Sequence, residues 1–141
     1  MELPDFPYHP DPQATGAVVE SDARCRACGA ARGYIYAGPV FAVEELAEQL
    51  CPWCIADGTA AEQFDVEFTD VGSHVPGDVP REVLEQIARR TPGFSGWQQE
   101  HWLYHCGDGA AFEGIDDHPQ GATYRFRCRH CGRELAYSDL V

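Results

Sequence analysis

The apolar positions of this chain fall into short runs that are separated by many glycines and prolines. An aromatic and β-branched run at residues 33–41, interrupted by Gly38-Pro39, predicts a β-hairpin. Residues 43–50 place Leu46 and Leu50 on one face and glutamates on the other, which predicts a short helix.

Three more stretches have helical patterns. Residues 55–64 are rich in alanine, although Gly58 weakens the prediction of a helix there. Residues 80–90 begin with a proline, carry apolar side chains on one side and end in two arginines, all of which favour a helix. Residues 95–105 begin with the Ser-x-x-Gln spacing of a capping box, so we predict a helix whose aromatic side chains belong to the core.

The two ends of the chain have different patterns. Residues 1–20 are rich in proline, which predicts an extended arm anchored by Phe6 and Tyr8. We expect His9 in this arm to lie at the surface or to form a hydrogen bond. Near the C-terminus, residues 124–127 alternate between aromatic and charged positions, which predicts a β-strand.

Composition and charge restrict the partners. The 141 residues are 44% hydrophobic, enough for one domain or two small subdomains with a shared core. The formal net charge is −13 and the chain contains no lysine, which argues against global attraction to nucleic acid or anionic membranes. No apolar run reaches the roughly 18 residues of a membrane span. The N-terminus lacks the features of a signal peptide, so we expect a cytoplasmic protein.

Cysteines provide the main candidate chemistry. Six of the seven form three Cys-x-x-Cys pairs, and in a cytoplasmic chain such pairs favour metal over disulfides. The first two pairs are separated by 22 residues and supply four thiolates for one tetrahedral Zn²⁺: Cys25, Cys28, Cys51 and Cys54. A closed set of four ligands predicts a structural ion. The alternative is that these cysteines are buried or reducible thiols.

The third pair, Cys128 and Cys131, needs donors from elsewhere. Cys106 is the remaining cysteine, and His101 and His105 lie close to it in sequence. We predict a second Zn²⁺ site from the three cysteines and one histidine, with His105 as the assigned donor. Alternatively, these cysteines are structural thiols, or the third pair joins one of the first two.

Two other functions are compatible with these residue types. His105, Cys106 and Asp108 are a histidine, a cysteine and an aspartate, as in nucleophilic catalysis, which would make the protein an enzyme. Seven of the ten arginines flank the first and third cysteine pairs, where they either balance thiolate charge or contact a nucleic acid or nucleotide.

Several multi-residue motifs occur in order along nearly the whole chain. They include Phe6-Pro7-Tyr8-His9-Pro10-Asp11-Pro12, Cys51-Pro52-Trp53-Cys54-Ile55-Ala56-Asp57-Gly58, Arg90-Thr91-Pro92-Gly93-Phe94 and His105-Cys106-Gly107-Asp108. In these motifs the chain resembles the CbrC family of bacterial proteins. Relatives of that family usually have a longer segment where this chain has only residues 115–123. The resemblance implies a bacterial, soluble protein and supplies no mechanism.

Together these patterns predict a small zinc-stabilised α+β fold. Residues 1–72 are expected to form a half that resembles a treble clef or zinc ribbon, residues 73–80 a linker, and residues 81–141 a half with a helix and a zinc knuckle. The expected function is that of a zinc-binding interaction or adaptor module with a protein partner. Nucleic acid is the less favoured partner.

Overall fold

The computed structural model describes residues 2–72, 75–96 and 100–140. Its first part contains a two-stranded antiparallel sheet, in which β1 (Val18–Glu20) pairs with β2 (Tyr34–Tyr36). Two short helices follow, α1 (Pro52–Ala56) and α2 (Thr59–Phe64). Their apolar faces meet the sheet in an N-terminal core that includes Phe6, Ile35, Tyr36, Leu46, Leu50, Ile55, Val66 and Phe68.

The predicted helix over residues 55–64 is divided in two. Pro52 occupies the first turn of α1, where its missing N–H costs nothing. Gly58 then takes a φ of 83°, which ends the helical path before α2 begins at Thr59. The division leaves both short helices packed on the same core.

The predicted helix over residues 80–90 is confirmed as α3 (Arg81–Arg90). Ile87 and Ala88 are its buried residues, while both terminal arginines lie in the last turn, where the helix dipole favours cations. The backbone N–H of Phe68 donates to the carbonyl of Ala88 over 2.6 Å, which joins α3 to the first part of the chain.

The remaining strands form two antiparallel sheets. A two-residue turn connects β3 (Tyr104–His105) to β4 (Asp108–Gly109). The larger sheet has the order β5 (Ala111–His118), β6 (Gly121–Arg127) and β7 (Glu134–Leu140), which confirms the strand predicted at residues 124–127. One face of this sheet contributes to a C-terminal core of Tyr8, Ile87, Phe94, Trp102, Ala110, Phe112, Ala122, Tyr124 and Phe126.

Three predictions of local structure are wrong. Around Gly38-Pro39 there is no hairpin, because β2 pairs with β1 and Phe41 instead bridges to Glu67. Residues 43–50 form bends and turns, although Leu46 and Leu50 are buried as predicted. Their backbone is used for long-range pairing: the Leu50 carbonyl accepts from Tyr36 over 2.8 Å.

The third wrong prediction is the helix over residues 95–105. Residues 95–96 and 100–103 are irregular, residues 104–105 are β3, and residues 97–99 lie outside the described part. The Leu103 carbonyl accepts a 2.9 Å hydrogen bond from the N–H of Ala110, so the backbone here pairs across the chain. Trp102 is nevertheless a core residue, as expected, and its indole donates to the Ala110 carbonyl.

The N-terminal arm follows turns before it reaches β1. Phe6 and Tyr8 are buried, which confirms both as anchors. His9 is fully buried between the Pro92 carbonyl and the Thr15 hydroxyl, so the expectation of a hydrogen bond is confirmed and the surface alternative is wrong. Among the described residues, the helices are all too short to cross a bilayer.

Candidate metal centres

The first cluster consists of Cys25, Cys28, Cys51 and Cys54. Their four sulfur atoms lie within 4.8 Å of one another, and the sulfurs of Cys28 and Cys51 are 4.0 Å apart. Four thiolates bound to one Zn²⁺ at about 2.3 Å are about 3.8 Å apart, so little rearrangement would bring this cluster to tetrahedral coordination.

Local backbone geometry places these sulfurs. Gly29 has a φ of 74° and its N–H donates to the Cys25 carbonyl, which closes a tight knuckle after the first pair. On the other side, Cys51 is the N-cap of α1 and Cys54 lies within that helix. The backbone N–H groups of Ala27 and Cys51 each donate to the Cys25 sulfur over 3.3 Å.

Protonation of the first cluster is uneven. A hydrogen bond from the Cys51 thiol, helped by backbone N–H donors, lowers the pKa of Cys25. The same hydrogen bond raises the pKa of Cys51, and burial raises that of Cys54 to about 12. Sulfurs this close cannot all ionise without a cation, because like charges disfavour one another. A divalent metal ion supplies the charge that four thiolates need.

The second cluster consists of His105, Cys106, Cys128 and Cys131, whose ligand atoms also lie within 4.8 Å of one another. The Nδ1 atom of His105 is 3.3 Å from the Cys106 sulfur and 3.4 Å from the Cys131 sulfur. Three thiols and one imidazole are a common donor set for structural Zn²⁺.

Two turns provide these four side chains. In the β3–β4 turn, Cys106 and Gly107 both have positive φ, 55° and 72°, as a type I′ hairpin requires. Between β6 and β7, Gly132 has a φ of 75° and its N–H donates to the Cys128 carbonyl, as in the first knuckle. The helix predicted over residues 95–105 is therefore wrong at His105, and the β3–β4 hairpin presents both His105 and Cys106.

Asp108 connects the two turns of the second cluster. Its side chain is buried and accepts hydrogen bonds from Tyr8 (2.7 Å), Arg129 (2.9 Å) and His130 (2.8 Å). Burial alone would raise the pKa of this carboxyl, but the hydrogen bonds from Tyr8 and His130 outweigh burial and lower it. The guanidinium of Arg129 also lies over the Tyr8 ring, 4.9 Å from its centre.

All seven cysteines thus lie in one of the two clusters, without the rearranged pairing considered from the sequence. The other candidate histidines in the described part of the chain lie outside this cluster. His101 packs edge-on against the Tyr137 ring, His118 lies at the opposite end of β6, and His130 faces Asp108. The alternative donor His101 is therefore absent from the cluster.

The grouping for nucleophilic catalysis is only partly assembled. The imidazole of His105 does contact the Cys106 sulfur, but the Asp108 carboxylate contacts Tyr8, Arg129 and His130. Hydrogen bonding to Cys128 and burial raise the pKa of Cys106 to about 11, which opposes a reactive thiolate.

The contacts of Asp108 were missed in the sequence. The sequence pattern groups this carboxylate only with His105 and Cys106, and it predicts Tyr8, a hundred residues away, only as an anchor. One feature of the sequence does indicate a supporting role for Asp108: it is a charged residue that follows the candidate metal ligand Cys106 by two positions. Such a residue at a metal site commonly orients the loops around it.

These features define a class: a small mixed α and β protein with two cysteine-rich clusters that could hold metal ions. The chain belongs to a bacterial family whose model, described as "Uncharacterised protein family (UPF0167)", matches residues 3–119.

Relatives match the chain along its whole length. UPF0167 proteins of Mycobacterium bovis and Mycobacterium tuberculosis are each 43% identical over 178 positions, which cover 100% of this chain and 95% of theirs. A UPF0167 protein of Pseudomonas aeruginosa is 36% identical over 174 positions, with 98% and 96% covered. Because 178 aligned positions exceed the 141 residues present here, the relatives contain additional residues. No solved structure matches.

Proposed function

We propose that this protein is an interaction or adaptor module whose fold is stabilised by two Zn²⁺ ions. The observation that carries the proposal is the convergence of all seven cysteines and His105 into two four-donor clusters, each within 4.8 Å. Each set is closed, so the ions are structural and leave no coordination position for a substrate. The first half is treble-clef-like, because a knuckle supplies one cysteine pair and a helix start supplies the other.

An exposed surface supports the interaction role. Phe41 is 48% exposed and Val43 is fully exposed, and they are the exposed large apolar side chains of the described residues. Phe41 also lines a cavity of about 530 Å³ together with three carboxylates, Glu67, Asp70 and Glu100. We call Phe41 and these three carboxylates the acidic apolar surface. Charge complementarity favours a partner protein that presents a basic segment with apolar side chains.

The contacts of the arginines favour this partner over nucleic acid. Arg26 pairs with Glu44, Arg127 with Glu113 and Glu134, and Arg129 with Asp108. These guanidinium groups therefore balance carboxylates beside the knuckles. We further propose that the protein is cytoplasmic, because free thiols persist in that compartment. We also propose that the CbrC family, which the chain resembles in its sequence motifs, is the same family as UPF0167.

Metal content tests the first part of the proposal. Protein purified without chelators should contain two Zn²⁺ per chain by elemental analysis. Cys54→Ser should lose the ion of the first cluster, and Cys131→Ser only that of the second. A content below one ion per chain in the reduced wild-type protein would refute structural zinc.

Peptide binding tests the second part. A fluorescein-labelled peptide of alternating arginine and leucine should bind the zinc-loaded protein, while the matched glutamate and leucine peptide should not. Glu67→Gln combined with Glu100→Gln should weaken binding. The matched control, Glu82→Gln with Glu85→Gln on α3, removes the same charge from another exposed surface and should have a smaller effect. An equal loss of peptide affinity in both variants would indicate that the peptide is attracted only by the net charge of the protein.

A further inference from the structure

We propose that the second cluster is a peroxide-sensitive metal site, in which Cys106 and Cys131 form a disulfide and the metal is released. The inference rests on the proposed function, because it requires a metal ion at this cluster. It assigns a regulatory role to the second cluster and a permanent structural role to the first.

The two clusters differ in their exposure to solvent. In the first cluster, Cys25, Cys51 and Cys54 are each at most 2% exposed, and only Cys28 reaches the surface. In the second cluster, two of the three sulfurs, those of Cys106 and Cys131, belong to exposed residues. Oxidation of cysteine depends on access to the sulfur, so a small oxidant reaches the second cluster first.

The two exposed sulfurs are also close to each other. Both lie beside the same atom, Nδ1 of His105, at 3.3 Å and 3.4 Å, and they are within 4.8 Å of one another. Each belongs to a turn at the protein surface, one between β3 and β4 and the other between β6 and β7. A small movement of these turns would bring the sulfurs to the bonding distance of about 2.05 Å.

Asp108 keeps the turns together when the metal is absent. It follows the Cys106 turn directly and accepts hydrogen bonds from Arg129 and His130, which lie between Cys128 and Cys131. These contacts do not involve the ligand atoms. After oxidation the two turns therefore remain adjacent, which favours an intramolecular disulfide and its later reduction.

The reaction consumes one hydrogen peroxide per disulfide. The cysteines are thiolates while they serve as metal ligands, which removes the obstacle that the raised pKa of free Cys106 poses. One thiolate attacks the peroxide, so that an S–O bond forms, the O–O bond breaks and hydroxide leaves. The second thiolate then attacks the resulting sulfenic acid, so that the S–S bond forms, the S–O bond breaks and a second hydroxide leaves. Two sulfurs lose two electrons in total, and peroxide gains them. Only His105 and Cys128 remain as donors, which is too few to retain the ion.

The test uses the zinc-loaded 141-residue chain, whose metal content is first measured under reducing conditions. Hydrogen peroxide should then release one of two Zn²⁺ ions, detected with a coloured chelator. Mass spectrometry should identify a Cys106–Cys131 disulfide, and reductant with added Zn²⁺ should restore two ions. Release of both ions together, or a disulfide between other cysteines, would overturn the proposal.

A matched variant separates metal release by oxidation of Cys106 and Cys131 from metal release by any other cause. Cys106→His preserves four donors but removes one of the two thiols, so peroxide should release its second ion at least about tenfold more slowly. Release at the wild-type rate would overturn the proposal. If the reduced protein carries no ion at the second cluster, the proposed function fails there. If it carries two ions and peroxide releases neither, only the present inference fails.

Discussion

The hydroxyl of Tyr8 donates a 2.7 Å hydrogen bond to the buried carboxylate of Asp108, one hundred residues further along the chain. This contact attaches the N-terminal arm to the turns that carry the second cluster. Arg129 strengthens it by donating to the same carboxylate and by stacking on the Tyr8 ring. The arm thereby supports the turns of the second cluster.

Replacement of Asp108 by asparagine should damage both stability and metal affinity. The amide has a single acceptor oxygen, so it cannot accept both from Arg129 and His130, which donate to Oδ2, and from Tyr8, which donates to Oδ1. Hydrogen bonds to charged groups contribute about 1.5–3 kcal/mol each when buried. We expect a loss of that order in the free energy of unfolding, measured in urea. Affinity for Zn²⁺ at the second cluster should fall about tenfold, as for other supporting residues of metal sites.

A control for this prediction is Asp65→Asn. Asp65 also pairs with an arginine, Arg89, but its side chain is 90% exposed. Its change should alter stability by no more than about 0.5 kcal/mol and leave metal content intact. Equal effects of the two substitutions would show that the contacts of Asp108 contribute no more than a surface ion pair.

Much of this architecture follows from local patterns. The helix at residues 81–90 and the strand at residues 124–127 have uninterrupted periodicity, and the sequence places them correctly. The spacing of the Cys-x-x-Cys pairs predicts six of the donors. Cys106 follows as the remaining cysteine, and His105 follows from its place directly before Cys106. The hairpin that presents Cys106 could not be predicted from the sequence. Its turn needs positive φ at Cys106 and Gly107, whereas the capping-box spacing at residue 95 favours a helix through this segment. Tertiary pairing of Leu103 with Ala110 decides that competition.

The burial of polar groups was the least predictable feature. A histidine between a tyrosine and a proline is typical of a surface, yet His9 is enclosed between nearby Thr15 and Pro92, which is 83 residues away. Likewise, Leu46 and Leu50 match a helical face, but long-range backbone hydrogen bonds hold their segment in turns. In each instance the deciding partner lies far along the chain, so no local pattern contains it.

Removal of metal should unfold the N-terminal core. Three cysteines of the first cluster are buried in that core, beside Leu50 and Ile55. Structural zinc contributes roughly 10–16 kcal/mol of apparent binding energy in small zinc fingers, which matches or exceeds the stability of about 5–15 kcal/mol of a typical domain. Chelation should therefore abolish near-ultraviolet circular dichroism and change the fluorescence of Trp53, which packs against this core.

Single substitutions should distinguish the two ions. Cys54→Ser should lower the melting temperature more than Cys106→Ser, because Cys54 is buried and Cys106 is exposed. Unchanged dichroism and melting after complete metal removal would contradict the prediction for the first cluster.

Gly93 should tolerate no side chain. A Cβ atom there would lie 2.2 Å from the backbone oxygen of Phe68, and the N–H of Gly93 donates to the Tyr36 hydroxyl. The backbone oxygen cannot move aside as a flexible side chain would. We expect Gly93→Ala to destabilise the protein by about 3 kcal/mol, the upper range for overpacking, in urea unfolding.

Gly77 is the matched control, because a Cβ atom there has no neighbour within 4 Å. Gly77→Ala should be neutral or stabilise by up to about 1 kcal/mol, since alanine restricts the unfolded chain. A similar loss in both variants would show that the approach of Gly93 to Phe68 is not responsible.

His9 should make stability dependent on pH. Burial lowers its pKa to about 4, against an opposing hydrogen bond to the Pro92 carbonyl. In the unfolded chain its pKa is about 6.5, so between these values the unfolded state binds the proton and the folded state does not. The contribution of neutral His9 to the free energy of unfolding is therefore complete above pH 6.5, and it declines as pH falls towards 4. At about 1.4 kcal/mol per pKa unit, the full decline in the free energy of unfolding is about 3–4 kcal/mol.

Cysteine ligands also take up protons when pH falls, so the effect of His9 must be isolated by difference. His9→Gln removes the titrating group and retains hydrogen-bonding atoms for the Pro92 carbonyl and the Thr15 hydroxyl. Free energies of unfolding should be measured at pH 7 and pH 5 for both zinc-loaded proteins. The wild type should lose more stability than the variant on acidification, because only its folded state excludes this proton. Equal losses would mean that His9 is protonated within the fold, in conflict with its enclosure between Pro92 and Thr15.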